Sequence, residues 1–244
     1  MVTQEGNSME APLLEVCQVS KNFGGLQALK NVSFKVYSGE KVGLIGPNGS
    51  GKTTMVNIIS GVYKADKGKI LFCGKDVTKL PAHRRTRLGI SRTFQIPKPF
   101  TSLTVLENVM LPLTVRSHSS GHNYDSALDI LRLLSLNPDL KCNELTLIEL
   151  KKLELARALA TKPKLLMLDE VLAGLTEKEI YEMLDILRKI NEQGVTIIMI
   201  EHLMKAVMNF CERIIVLSSG MLLAEGKPEE VRKNKKVVEV YLGE

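Results

Sequence analysis

Apolar residues recur along this chain at two different periods, and the changes of period divide it into three stretches. In the first, "LLEVCQVS" alternates as a half-buried strand does, and "NVSFKVYSGEKVGLIG" sets a Ser38-Gly39 turn between two apolar runs. "GKILFCG" predicts another short strand, and "PAHRRTRLG" a short helix with Pro81 in its first turn and Gly89 closing it. From about Pro97 to Pro163 the strand pattern fades. Helical patterns replace it, separated by "SHSSGH" and "NPD", and Thr104-x-x-Glu107 forms a capping box that opens one of them. Alternation of strand and helix then returns with "KLLMLD", a helix from Glu177 to Gln193 stopped by Gly194, and "VTIIMI". "RIIVL" and "MLLAEG" predict two more strands before a charged helical tail.

Apolar strands alternating with helices argue for a buried parallel sheet. The fold class expected is therefore α/β: a mostly parallel sheet, an antiparallel β region at the N-terminus, and a helical subdomain inserted at about 97–163. All 244 residues are read as one domain. There is no internal repeat and no low-complexity segment. At 44% hydrophobic and 25% charged, the composition is that of an ordinary globular protein. No apolar run approaches the ~20 residues that span a bilayer. The opening "MVTQEGNSME" has neither a basic nor an apolar leader region, so a cytoplasmic chain is expected. Cys17, Cys73, Cys142 and Cys211 have no metal-binding spacing and are expected as reduced thiols in or near the core. The net charge of +6 suits nucleotide, nucleic acid or an anionic membrane surface without selecting among them. Aromatics make up only 5% and do not interleave with basic clusters, which argues against a single-strand-binding face.

Chemistry enters at "GLIGPNGSGKTTM", where Gly46 to Thr53 fit G-x-x-x-x-G-K-[ST]. An apolar strand precedes the motif and a helical run closed by Gly61 follows it, as a phosphate-binding loop requires. Its glycines let backbone N–H groups converge on phosphate oxygens, and the helix adds its positive end. Lys52 can reach the β and γ phosphates, and the Thr53 hydroxyl can ligate Mg²⁺. The binding candidates are Gly46, Pro47, Asn48, Gly49, Ser50, Gly51, Lys52, Thr53 and Thr54. "LLMLDE" ends a buried strand in two acids, Asp169 to hold Mg²⁺ and Glu170 to position an attacking water.

With these motifs placed, the chain resembles the ATP-binding subunit of ABC transporters along nearly its whole length, and more narrowly the ATPases of branched-chain amino-acid uptake. The resemblance implies ATP and Mg²⁺ as ligands and assigns further roles. Phe23 in "VSKNFGGLQAL" stacks on adenine. Gln95 in "RTFQIPKPF" senses metal, water and the transmembrane partner. His202 in "IIMIEHLM" contacts the γ-phosphate, while "AGLT" and the ending "EVYLGE" match the family loosely. Two such chains, identical or paralogous, sandwich two ATPs between one chain's loop and the other's signature helix. Transmembrane permease subunits dock on the helical insertion around Phe100 and "SLTVLENVM", which puts the chain at the cytoplasmic face of the membrane. No nucleic-acid partner is expected. The other readings that the sequence leaves open are a non-transport ABC ATPase acting on nucleic acid and a subunit that binds nucleotide without hydrolysing it.

Two positions depart from the family pattern. Val171 follows Glu170 where proline is usual, and the signature LSGGQ is replaced by Leu145-Thr146-Leu147-Ile148-Glu149. Thr146-x-x-Glu149 is a capping box, so a helix can start at Leu147 without glycine, with Leu150, Leu153 and Ala156 as a buried stripe. Thr146 and Glu149 are expected beside the partner's nucleotide. Ile148 is expected to crowd that approach, in which case Ile148→Gly would strengthen the half-site.

Overall fold

The computed structural model describes residues 11–116 and 120–242. The opening "MVTQEGNSME", the first half of "SHSSGH" and the last two residues of "EVYLGE" lie outside them.

The chain begins with β1 (Leu14–Phe23) and β2 (Leu26–Val36), a long antiparallel pair. It then crosses the Gly39 turn into β3 (Lys41–Ile45), which runs through the phosphate-loop motif into α1 (Lys52–Ser60). Next come β4 (Lys67–Phe72), β5 (Lys75–Asp76), α2 (Ala82–Leu88) and the three-residue strand β6 (Ile90–Arg92). The helical stretch holds α3 (Val105–Arg116), α4 (Ser120–Leu133), a single 3-10 turn at Cys142–Glu144, and α5 (Leu147–Leu159). Then follow β7 (Leu165–Asp169), α6 (Glu177–Glu192), β8 (Thr196–Ile200), α7 (Met204–Phe210), β9 (Arg213–Ser218), β10 (Met221–Gly226), α8 (Pro228–Lys233) and α9 (Lys235–Leu242).

Two sheets result. The first is antiparallel in the order β2-β1-β4-β5. The second runs β10-β9-β3-β8-β7-β6 and is parallel except for β10. Residues in β7 and β8 are buried without exception, because both faces of this sheet are covered. Neighbouring residues face opposite ways, so the strands feed two cores. Leu165 and Met167 join β1, β2 and α1 in one, while Leu166 and Leu168 join the helices in the other. β3 is split in the same way, with Val42 and Leu44 on one side and Ile45 on the other.

Helix ends are met by specific partners. The Thr104 N–H donates to the Glu107 carboxylate at 2.7 Å and the Glu107 N–H to the Thr104 hydroxyl at 3.2 Å, the expected capping box. Pro81 stands just outside α2, at its N-cap rather than in the first turn, and Gly89 closes that helix with φ 108°. The Arg85 guanidinium, fully buried, donates to the Ile58 and Ile59 carbonyls at the end of α1 (2.6 and 2.9 Å) and to those of Leu80 and Thr78 (2.9 and 2.8 Å). Its Nε approaches so closely that a Cβ on Gly61 would meet it at 2.8 Å.

The structure corrects two further expectations and adds two elements. Cys73 is exposed in the turn between β4 and β5, with φ 48°, whereas Cys142 and Cys211 are buried. Helix α5 is not one-sided: Leu150 is only half buried, while Ile148, Leu153, Leu155 and Ala156 are all buried along with Lys151, Lys152 and Glu154. The stripe fails because α5 is enclosed by α3, α4 and the sheet. Its charges persist inside by finding partners, Lys152 on Glu182 at 2.5 Å and Arg157 on Glu154 at 3.1 Å. Finally, β6 and α7 go unpredicted, one too short to show alternation and the other lacking a side-chain cap.

Candidate functional site

The edge where β3, β7 and β8 end carries the candidate chemistry. Ile45 leads into Gly46, where a Cβ would lie 2.0 Å from the Leu217 carbonyl oxygen, so this position admits only glycine. Gly51, with φ 102°, is equally constrained between the Ala28 carbonyl and the Leu29 side chain. Between them Asn48 and Gly49 are exposed, Pro47 is half buried, and the buried Ser50 turns back by donating its N–H to the Pro47 carbonyl at 3.2 Å. Helix α1 starts at Lys52 with no side-chain cap and no acid in its first turn. Its leading N–H groups therefore present partial positive charge, with the exposed Thr53 and half-buried Thr54 beside them. Lys52 is buried and its ammonium donates to the carbonyls of Gly46 (2.7 Å) and Pro47 (2.9 Å).

Across the sheet edge, Asp169 ends β7 in a buried position, its carboxylate on the Arg92 guanidinium at 3.1 Å. Burial pushes the Asp169 carboxyl up, and Arg92 acts against that rise. Glu170 follows with φ 51°, a left-handed backbone that a residue with a Cβ rarely adopts. Its N–H donates to the Ile200 carbonyl at 2.9 Å, which fixes the turn against β8. The side chain is clasped from both sides. The Gln95 amide donates to Oε2 at 2.5 Å, and His202 Nε2 lies 2.9 Å from Oε1. Sequence-predicted Gln95, Glu170 and His202 thus form one hydrogen-bonded group, directly after Asp169.

Phe23 lies at the end of β1, 41% exposed, and Tyr63 meets it edge to face with centroids 5.3 Å apart. Lys21 Nζ lies 5.3 Å from the Phe23 ring centroid. Thr146 and Glu149 bond to each other: the Thr146 N–H and hydroxyl donate to the Glu149 carboxylate at 2.8 and 2.7 Å, and that pairing holds the carboxyl below its ordinary range. Ile148 is a correction. Its side chain is 9% exposed and belongs to the helical core, so it cannot be the group that crowds an approaching phosphate. Leu147 is the exposed one at 46%, with its Cδ2 next to Gly174. Val171 is buried in the same core as Ile148.

Four residues escaped the sequence reading: Arg92, Tyr63, Lys151 and Glu201. Lys151 Nζ donates to the Glu170 carbonyl at 3.2 Å, and the Leu172 N–H donates to the buried Glu201 carboxylate at 2.6 Å. Burial raises Glu201 to about 7. A charged residue inside an apolar strand terminus, "MIEH", was the one available signal for Glu201. Arg92 and Tyr63 had none beyond their nearness to motifs.

Comparison with known proteins shows the family. The family model described as "ABC transporter" matches residues 29–173, and one described as "Branched-chain amino acid ATP-binding cassette transporter" matches residues 221–244. A probable branched-chain amino acid transport ATP-binding protein, LivG of Archaeoglobus fulgidus, is 40% identical over 95% of each chain. The high-affinity branched-chain amino acid transport ATP-binding protein LivG of Escherichia coli is 38% identical over 97% of this chain and all of its own. Among solved structures, an ATP-binding cassette of an ABC transporter in its ADP conformation superposes with a TM-score of 0.87. It shares 34% identity and covers 96% of this chain and all of its own. A dimeric bacterial ABC transporter cassette gives 0.79 at 31% identity, over 88% and 98%.

Proposed function

This chain belongs to the ATP-binding subunits of ABC transporters, and from that premise we propose that it hydrolyses Mg-ATP at Glu170 to drive uptake of branched-chain amino acids. The observation that carries the site assignment is the clasp on Glu170, held between Gln95 and His202 beside Asp169. A carboxylate oriented from two sides suits a group that must align one water molecule.

The remaining residues divide the work. Lys52 exchanges the Gly46 and Pro47 carbonyls for β- and γ-phosphate oxygens, so its charge is already at the loop before nucleotide arrives. The N–H groups from Gly49 to Thr54 receive the phosphates, and Phe23, braced by Tyr63, stacks on adenine. Thr53, Gln95 and Asp169 offer a hydroxyl, an amide and a carboxylate oxygen. That donor set fits a hard cation completed by phosphate and water oxygens, and Mg²⁺ held there would offset phosphate charge. Each Glu170 oxygen has one hydrogen-bond partner in the chain alone and keeps a second lone pair with which to accept from the attacking water. His202 then turns to the γ-phosphate, where it stabilises developing charge.

A second cassette, identical or paralogous, completes each site, with Thr146 and Glu149 facing its nucleotide. The helical unit at about 97–163 meets the permease. Phe94, Ile96, Phe100 and Val115 stand exposed on and beside it, which supports that reading. Through that contact the chain is read as peripheral at the cytoplasmic face of the membrane, and no helix among the described residues is long and apolar enough to cross it. The cargo follows the relatives' names. The decisive test is Glu170→Gln in the purified chain: Mg-ATP binding retained, turnover lowered about 10²- to 10⁴-fold, and an ATP-bound dimer accumulating. Wild-type turnover would remove Glu170 from the mechanism.

A further inference from the structure

The least explained charge near the site is Arg92, the last residue of β6. Its register opposite Met167 places it one strand away from Asp169. The side chain is 11% exposed and the Asp169 side chain 8%, so this ion pair is desolvated. The guanidinium has four attachments, the longest from Nε to the Thr93 carbonyl at 3.4 Å. Nη2 donates to Asp169 Oδ2 at 3.1 Å, Nη1 donates to Asn57 Oδ1 at 2.5 Å, and the Phe94 ring lies 4.7 Å from Cζ. Asn57 belongs to α1, the helix that follows the phosphate loop, and Phe94 directly precedes Gln95.

We propose that Arg92 is the cation paired with Asp169 in the nucleotide-free site, holding its carboxylate until a divalent metal ion takes its place. The proposal rests on the reading of Asp169 as a metal ligand. Its physical basis is the cost of a buried carboxylate without a counter-charge, which a paired cation offsets whether that cation is a guanidinium or a metal ion. The contact is single-pronged rather than a two-pronged fork, so it fixes Asp169 without enclosing it. Asn57 and Phe94 keep the guanidinium in place once the carboxylate is released. Its charge then remains beside the metal.

Two consequences follow with definite sign. Arg92 competes with and repels a divalent ion, so Arg92→Gln tightens metal binding in the absence of nucleotide. Arg92 also attracts nucleotide phosphates, so the same change weakens ATP binding without metal. The gain in ATP affinity on adding Mg²⁺ therefore becomes larger in Arg92→Gln than in wild type, by about 5-fold or more if the coupling has the usual size.

The test measures ATP binding to the full chain in EDTA and in Mg²⁺, for wild type, Arg92→Gln and Asp169→Asn, with folding checked by thermal melts. Mn²⁺ titration followed by electron paramagnetic resonance is run on the same proteins without nucleotide. Equal Mg²⁺ gain in wild type and Asp169→Asn would defeat the metal assignment itself, whatever Arg92 does. A normal loss in Asp169→Asn, with Arg92→Gln matching wild type in both measurements, would overturn the present inference and leave Arg92 a strut between β6 and α1. If Arg92→Gln does not fold, the wild-type chain still decides. The Arg92 guanidinium ¹⁵N resonance should shift on going from ADP with EDTA to Mg-ADP, and an unchanged resonance overturns the proposal.

Discussion

Glu170 combines a left-handed backbone with a side chain held by Gln95 and His202. A carboxylate in that backbone region persists because the chain around it over-determines the turn: the Glu170 N–H is tied to Ile200, its carbonyl to Lys151, and Leu172 to Glu201. Glu201 gives this arrangement a pH dependence. Its carboxyl is raised from 4.5 to about 7 by burial, so the folded chain holds that proton more tightly than the unfolded chain does. The contribution to stability is complete below about 4.5 and is lost as pH rises through about 7. Glu201→Gln keeps an acceptor for the Leu172 N–H but cannot ionise. Its melting temperature relative to wild type should rise by about 2–6 °C between pH 5 and pH 8. A constant difference across that range would mean that Glu201 is charged and satisfied throughout.

At the scale of elements, α5 carries the clearest revision. Ile148 lies in the core and Leu147 at the surface, so the two signature positions separate by substitution. Ile148→Gly is expected to destabilise the fold by about 2–5 kcal/mol through a core cavity, with no gain in ATP-dependent pairing. Leu147→Gly should cost about 1 kcal/mol of helix propensity and increase ATP-dependent dimerisation, measured by light scattering on a hydrolysis-blocked background. If Leu147→Gly melts lower but pairs no better, the start of α5 has no role opposite a phosphate. The same helix shows why sequence alone misplaced the side chain. Capping chemistry between Thr146 and Glu149 was legible because it is local. The face that α5 turns to the core was not, since it depends on α3, α4 and the sheet together. Strands β3, β7 and β8 and the loop between Gly46 and Lys52 were legible for the opposite reason: burial on both faces and a fixed spacing leave few alternatives. Arg92 and Tyr63 act through neighbours distant in sequence, Asp169 and Phe23, and no local pattern marks them.

For the whole molecule, the two cores meet along one sheet, and the site sits where its strands end. A ligand bound there to the folded chain alone stabilises everything behind it, by about 2.7 kcal/mol at a hundred times its dissociation constant. For a chain of this size that corresponds to about 5–10 °C in melting temperature. Mg-ATP should produce such a shift in wild type and little in Lys52→Ala at the same concentration, because the loop loses its only side-chain cation. An equal shift in both, followed by calorimetry or dye-free fluorescence melts, would dissociate Lys52 from nucleotide binding.

Arg85 has a consequence for motion. It fixes the last carbonyls of α1 with a permanent cation, whereas the first N–H groups of that helix face the loop and rely on a visiting anion. One end of α1 is thus moored, while the other, on the proposed site, is compensated only when an anion is bound. Between nucleotides, picosecond-to-nanosecond disorder should concentrate in the turn from Lys52 to Met55, while Ile58 to Ser60 stay as ordered as the sheet. On the proposed site, the phosphate loop is expected to loosen and stiffen about a fixed rear post, with the change confined to the end of α1 assigned to phosphate.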